Sequence, residues 1–346
     1  MAQQFHIAFS KDVMGVGVIA GGPYFCAAGN IQRALNECMK DKEESDIGPS
    51  IQATLAAAAA NRIDSPEGLR SDKVYLFSGQ IDATVNRSVM DDLNDYYRDS
   101  RIGVKDKNIV YIRGLPAAHS QVIDRSEQEC DGVICNRCNE SQLPFLNACR
   151  ETFARLGRAE DADTAGRLLQ HIYGQNGGSG SQHRLPGPKT KHPRKPLIFD
   201  QKEFAGGSPQ SIGMMDEGYI YVPKTCEQGQ RCRLHVAFHG CRQNKDFIKE
   251  DETTSYVLRA GYNEWAENNK IIILYPQAAK FGLPLEPDGR DAQHKNPGAC
   301  WDWWGYTDPG TKAGDPSSAL QATYHTKTGK QMAAVKAMVD RLTRTR

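Results

Sequence analysis

Short apolar runs punctuate the chain at 13–20 (VMGVGVIA), 73–77 (KVYLF), 108–112 (NIVYI), 218–222 (GYIYV), 234–238 (LHVAF) and 271–275 (IIILY). Each has the length of a strand and is rich in β-branched or aromatic residues. The first ends at Gly21-Gly22-Pro23, which reads as a buried parallel strand followed by a tight turn. Helical patterns separate the runs. They are expected at Met90–Arg98, Ala162–Tyr173, Tyr256–Asn268 and Gln331–Leu342. In the last of these, Val335, Met338, Val339 and Leu342 fall at i, i+3, i+4 and i+7, the spacing of one buried face. Strands alternating with helices predict an α/β fold with a mostly parallel central sheet and helices on both faces.

The alternation is interrupted at 174–196 (GQNGGSGSQHRLPGPKTKHPRKP), where Gly, Ser, Pro and basic residues cannot bury a face. We read this stretch as a linker or long surface loop between halves 1–173 and 197–346. Hydrophobic residues make up 39% of the 346 positions, enough for a substantial core. With 43 Lys+Arg against 42 Asp+Glu, the chain has no overall basic field to hold a nucleic acid. No run approaches the roughly 18 apolar residues of a membrane span, so a membrane partner is not expected either. Ten cysteines form an even set in local clusters, which suits a disulfide framework in an oxidising compartment. The first residues, Met1-Ala2-Gln3-Gln4-Phe5-His6, contain no signal peptide. An extracellular or periplasmic location is therefore expected with the export signal absent from this sequence.

Two polar residues stand where α/β-hydrolases place their acid and base, on loops after strands and in that chain order. Asp82 follows KVYLF in Ser78-Gly79-Gln80-Ile81-Asp82, and His119 follows NIVYI in Gly114-Leu115-Pro116-Ala117-Ala118-His119. An acid in this role fixes the imidazole tautomer, while the imidazole takes a proton from the nucleophile and returns it to the leaving group. A third strand, LHVAF, leads into His239-Gly240-Cys241. An HG loop of this kind supplies a backbone N–H to an oxyanion hole.

Seven segments spread over nearly the whole chain carry a more specific likeness: GVGVIAGGPYFC (15–26), VYLFSGQIDATV (74–85), GLPAAHS (114–120), 143–174, LHVAFHGCRQ (234–243), LYPQA (274–278) and NPGACWDWWGY (296–306). Together they closely resemble the extracellular short-chain poly(3-hydroxyalkanoate) depolymerases and related esterases. The resemblance implies serine-esterase chemistry through an acyl-enzyme, with Asp82 and His119 as triad members, the Cys241 N–H as an oxyanion donor, and no metal or cofactor. It also implies a bridge from Cys241 to Cys300 that seats Trp301 beside the catalytic centre. Further expected bridges are Cys26–Cys38, Cys226–Cys232, and two within Cys130, Cys135, Cys138 and Cys149 whose connectivity stays open. The C-x4-C-x2-C spacing of Cys130, Cys135 and Cys138 also mimics a plant-type iron–sulfur site. The six cysteines outside Cys130–Cys149 and the match of this stretch to the family's lid oppose that reading. Trp301, Trp303 and Trp304 suit a cleft rim that grips an apolar acyl chain or polymer.

The oxyanion loop follows the acid and base here, opposite to the usual order, so the resemblance implies a circularly permuted hydrolase. No serine of the chain stands in a G-x-S-x-G elbow. Met1-Ala2-Gln3-Gln4 matches the helix that follows that elbow in the family, so we expect the nucleophile upstream of Met1 and an N-terminally truncated sequence. Loss of a central strand would leave its neighbours with unpaired edges, and poor solubility and no turnover are then expected. The competing readings are a small-ester or feruloyl-type esterase on the same scaffold and a non-catalytic ligand-binding remnant of the fold.

Overall fold

The computed structural model describes residues 1–41, 45–174, 184–250, 253–283, 292–312 and 315–344. Its strands are β1 (Gly15–Ile19), β2 (Lys73–Gly79), β3 (Ile109–Leu115), β4 (Gln121–Ile123), β5 (Asn136–Arg137), β6 (Leu146–Ala148), β7 (Leu197–Asp200), β8 (Glu217–Tyr221), β9 (Arg233–Val236), the short hairpin β10 (Lys249–Glu250) and β11 (Thr253–Thr254), and β12 (Ile271–Tyr275). The helices are α1 (Ala2–Ala8), α2 (Ile31–Lys40), α3 (Gly48–Ala59), α4 (Arg87–Arg98), α5 (Arg150–Ala154), α6 (Thr164–Tyr173), α7 (Lys224–Glu227), α8 (Ser255–Arg259), α9 (Tyr262–Asn269), α10 (Pro316–Gln321) and α11 (Lys330–Thr343).

All six apolar runs form strands, but they build two sheets instead of one. The first is fully parallel in the order β1-β2-β3, and the second runs β7-β8-β12-β9. In the second, β12 is parallel to β9 and antiparallel to β8, and β7 is antiparallel to β8. Among the described residues β1 and β9 each pair on one side only. The two sheets nevertheless share both cores. Successive side chains of a strand point to opposite faces, and Tyr75 and Phe77 of β2 join Ile271, Ile273 and Tyr275 of β12 in one cluster with α6, α8 and α9. Val74 and Leu76 of β2 join Leu274 of β12 in the other, with Phe5, Ile7, Met332 and Val335 from α1 and α11. Helices therefore cover both faces of a common layer of strands.

Helix α6 ties the layer together. It lies so close to β1 that a Cβ at Gly17 would sit 1.9 Å from Leu168 Cδ1, which only glycine avoids. At its last turn the Tyr173 hydroxyl donates to the Leu234 carbonyl of β9 at 3.1 Å, and the Arg233 guanidinium donates to the Tyr173 carbonyl at 2.6 Å.

The helix expected over Tyr256–Asn268 is broken in two. Gly261 holds φ +93°, ending α8 and starting α9 beneath Ala165 of α6. Helices α2 and α3, strand β7 and the small parallel sheet β4-β6-β5 are additions that apolar periodicity did not disclose. Of the expected linker 174–196, residues 175–183 lie outside the described residues. The remainder is strapped to α9: the Gly187 N–H donates to Asn269 Oδ1 (2.7 Å) and the Thr190 N–H to the Glu264 carbonyl (2.8 Å). Lys189 bridges Asp124 and Asp163 at 2.9 and 3.2 Å.

All ten cysteines are paired, as Cys26–Cys38, Cys130–Cys135, Cys138–Cys149, Cys226–Cys232 and Cys241–Cys300. The connectivity open in the sequence is thus sequential, and no thiolate remains in the Cys130–Cys149 stretch to hold an iron–sulfur cluster. No helix among the described residues is long and apolar enough to cross a membrane.

Candidate active site

Because β2 and β3 are adjacent and parallel, the loops that follow them leave the sheet at the same edge, where ligands of open α/β sheets bind. The loops are clamped there. The Gln80 N–H donates to the Leu115 carbonyl (2.7 Å) and the Ile81 N–H to the Ala117 carbonyl (3.2 Å). Gly79 permits this approach, since a Cβ there would lie 2.1 Å from the Ala117 oxygen. The clamp sets Asp82 beside His119, with Asp82 Oδ2 2.9 Å from His119 Nδ1.

The carboxylate is held on both sides. Its Oδ1 accepts the N–H groups of Thr84 and Val85 at 2.8 and 2.9 Å, leaving Oδ2 for the imidazole. An ionised carboxylate can only accept, so His119 Nδ1 carries the proton and Nε2 remains a proton acceptor. The Asp82 side chain is 1% exposed and that of His119 25%, so the acid is sealed while the base reaches the surface. The small sheet after His119 holds the ring in place. The His119 N–H donates to Ser141 Oγ (3.0 Å), the Ala118 N–H to the Cys138 carbonyl (2.9 Å), and the Phe145 ring packs edge-on at 5.9 Å between centroids.

The second element of the site is the loop after β9. The Gly240 N–H donates to Gln243 Oε1 at 2.7 Å and the Arg242 N–H to the Gly298 carbonyl at 2.7 Å. The Cys241 N–H between them has no acceptor among the described residues. Gln243 Nε2 donates to the Pro144 and Phe145 carbonyls at 3.0 and 3.2 Å, joining this loop to the one that carries the aromatic neighbour of His119. His239 anchors the loop from below. Its Nδ1–H donates to the Gly240 carbonyl (2.7 Å) and its Nε2 accepts the Ala278 N–H (3.0 Å). Burial pushes its pKa down to about 4, so the ring is neutral and its two nitrogens keep fixed, opposite roles.

The Cys241–Cys300 bridge, with Cα atoms 4.2 Å apart, brings the tryptophan segment to this loop. Trp301 packs against His239 and Phe238 at 5.5 and 5.2 Å between ring centroids. Its buried indole N–H has no acceptor among the described residues. Trp303 is half-buried. Trp304 lies in a core cluster with Tyr306, Ala27 and Ala34, donates its N–H to the Gln293 carbonyl (3.2 Å), and is as buried as Trp301, each being 4% exposed. Asp302 shapes the turn between them: its carboxylate accepts the N–H groups of Gly305, Tyr306 and Thr307 at 2.7, 2.9 and 3.0 Å. Burial raises the pKa of that carboxyl group.

The structure thus brings Asp82 to His119 and Cys241 to Trp301, and joins the two pairs through Gln243 and Phe145. Gln243 and Phe145 were not singled out in the sequence. Both lie inside segments quoted for the resemblance, but nothing local marks a glutamine as the bolt between loops about 100 residues apart. Among the described residues no group of three or more His, Cys, Asp or Glu could hold a metal ion.

No protein-family model matches the chain. A poly(3-hydroxybutyrate) depolymerase of Delftia acidovorans is 34% identical over 345 residues, 99% of this chain and 57% of that protein. The chain therefore spans little more than half the length of that relative. A polyhydroxybutyrate depolymerase of Talaromyces funiculosus is 33% identical over 315 residues, 88% of this chain and 79% of that protein. Two solved structures superpose at 28% identity, covering 94% of this chain and 86% of theirs. One is a PHB depolymerase with a serine-to-alanine substitution complexed with an R3HB trimer (TM-score 0.67), the other the PHB depolymerase from Penicillium funiculosum (TM-score 0.66). The shared layer of strands with helices on both faces, the likeness of the whole fold to these enzymes and the extent of the sequence match lead to one conclusion: the chain belongs to the polyhydroxybutyrate depolymerase family, of the α/β-hydrolase type.

Proposed function

We propose that the chain is the scaffold of a carboxylic ester hydrolase acting on poly(3-hydroxybutyrate) or its oligomers, built as a permuted hydrolase in which 1–173 and 197–346 together form one catalytic domain. The observation that carries this reading is the sealed Asp82 carboxylate at 2.9 Å from a partly exposed His119 whose Nε2 is left as acceptor. In that role Nε2 takes the proton of a hydroxyl nucleophile, Asp82 stabilises the imidazolium, and the proton passes to the leaving alkoxide. The unpaired Cys241 N–H donates to the oxyanion that forms at the carbonyl. Trp303, the half-buried one of the three tryptophans, holds the acyl chain. The five disulfides support an extracellular or periplasmic location.

Binding without turnover is the second reading, and the absence of any G-x-S-x-G serine from the 346 residues favours it. Calorimetric binding of (R)-3-hydroxybutyrate trimer, with acid release followed in parallel, tests both. Turnover that falls about 10⁴-fold in Asp82→Asn supports the hydrolase. Binding with no acid release supports the second reading. Hydrolysis of feruloyl or small aryl esters without trimer binding moves the substrate to the other esterase class, and no interaction with any ester refutes the proposal.

A further inference from the structure

A cleft of about 370 Å³ opens beside the Asp82–His119 loops, on the side of the disulfide-bonded small sheet. Its lining includes Ile81, Pro116 and Cys138, which lie next to the loops that carry the dyad. Ile81 precedes Asp82, Pro116 lies on the loop that ends at His119, and the Cys138 carbonyl accepts the Ala118 N–H at 2.9 Å. Ile81 is 46% exposed, an apolar side chain left open to this cleft.

The lining also includes Arg137 and Arg155. Arg137 is the last residue of β5 and Arg155 follows α5, and the Cys138–Cys149 bridge, with Cα atoms 4.7 Å apart, holds these two elements together. Both arginines are exposed, and neither makes an ion pair among the described residues. One carboxylate shares the cleft: Glu127 Oε1 accepts the Thr152 N–H at 3.1 Å as well as its hydroxyl, and it makes no ion pair with either arginine among the described residues. Glu140, next to Arg137, accepts the Arg137 backbone N–H at 3.1 Å. Two guanidinium groups and one carboxylate thus line a single concavity beside the apolar Ile81 and Pro116, which leaves the lining one positive charge in excess, and arginine suits the planar, bidentate recognition of a second carboxylate.

We propose that this cleft is a carboxylate subsite that takes the terminal carboxylate of a 3-hydroxyacyl oligomer, with Arg137 and Arg155 as its anion contacts. The inference rests on the polyester reading above. An oligomer held there by its acid end runs along Ile81 and Pro116 toward His119, so the ester bonds presented to the base are those nearest the carboxyl terminus. The subsite makes short anionic oligomers better ligands than neutral chains of the same length.

The test compares (R)-3-hydroxybutyrate trimer as the free acid with its methyl ester, by calorimetry on the full chain at low salt, for the wild type and the Arg137→Gln/Arg155→Gln double variant. The free acid should bind roughly tenfold more tightly to the wild type, as two partly exposed charge-assisted contacts allow. The double variant should lose that preference and keep its affinity for the methyl ester. Equal binding of the two forms by the wild type, or a preference that survives the double substitution, overturns the subsite and leaves the ester-site reading intact. Failure of both forms to bind overturns the subsite together with the polyester reading.

Discussion

Acid should unfold this protein through His239 before it discharges most carboxylates. The imidazole is 2% exposed, donates through Nδ1 to the Gly240 carbonyl and accepts the Ala278 N–H through Nε2. Protonation would turn Nε2 into a donor facing another donor, in a buried site. The folded pKa of about 4 lies below the ordinary 6.5. A lowered histidine pKa means that the unfolded chain binds the proton first, so the contribution is fully present above pH 6.5 and is lost as pH falls toward 4. At about 1.4 kcal/mol per unit, the loss is about 3 kcal/mol, a large share of the stability of an ordinary domain. His235, buried to 9% exposure and also lowered to about 4, adds a loss of the same sign over the same window. The assay is urea unfolding followed by tryptophan fluorescence, from about pH 7.5 down to about pH 4, for the wild type and His239→Gln. Glutamine can still accept from Ala278 and does not titrate. The stability advantage of the wild type over the variant should shrink by about 3 kcal/mol across that range. A pH-independent difference would refute the assignment of a neutral, buried His239.

Three further outcomes follow from packing and chain closure. Gly17→Ala places a methyl group 1.9 Å from Leu168 Cδ1 and should cost about 1–3 kcal/mol in urea unfolding, with much of the loss recovered when Leu168→Ala is added. Gln243→Ala strips the Gly240 N–H of its acceptor and the Pro144 carbonyl of a donor, while the Phe145 carbonyl keeps the Gln121 N–H; unfolding should register a loss of about 2 kcal/mol, and an unchanged midpoint would show that the bolt between the loops is not needed. Replacing the bridge Cys241–Cys300, which closes a separation of 59 residues, should destabilise by about 4 kcal/mol, whereas removing Cys130–Cys135, with a separation of 5, should cost about 2 kcal/mol. Equal losses for the two bridges would argue against the loop-entropy account.

Much of this molecule was legible because its strands are short, apolar and separated by polar turns, so that each announces itself locally. All six apolar runs are strands, and the helix at Lys330–Thr343 follows the spacing of Val335 and Met338. The break at Gly261 was missed because an isolated glycine inside a helical pattern is tolerated, and the φ of +93° that ends the helix here shows only in the structure. Asp82 and His119 could be named from their positions after strands, since a parallel sheet delivers consecutive loops to one edge. The half-buried Trp303 could not be separated from Trp301 and Trp304 in the sequence, because neighbouring tryptophans look alike until two of them pack into different core clusters.

The sequence by itself determined the six main strands, the even cysteine set and the positions of Asp82 and His119 on loops after neighbouring strands. Those follow from periodicity and side-chain chemistry, which are properties of the chain read in order. Only the tertiary structure decided that the strands divide into two sheets sharing both cores, that Cys130 pairs with Cys135 and Cys138 with Cys149, and that Gln243 joins the oxyanion loop to the neighbour of His119. It also decided that Arg137 and Arg155 meet over one cleft. Each of these depends on distances between residues far apart along the chain, which are set by closest packing and loop closure and leave no local trace in the order of the amino acids.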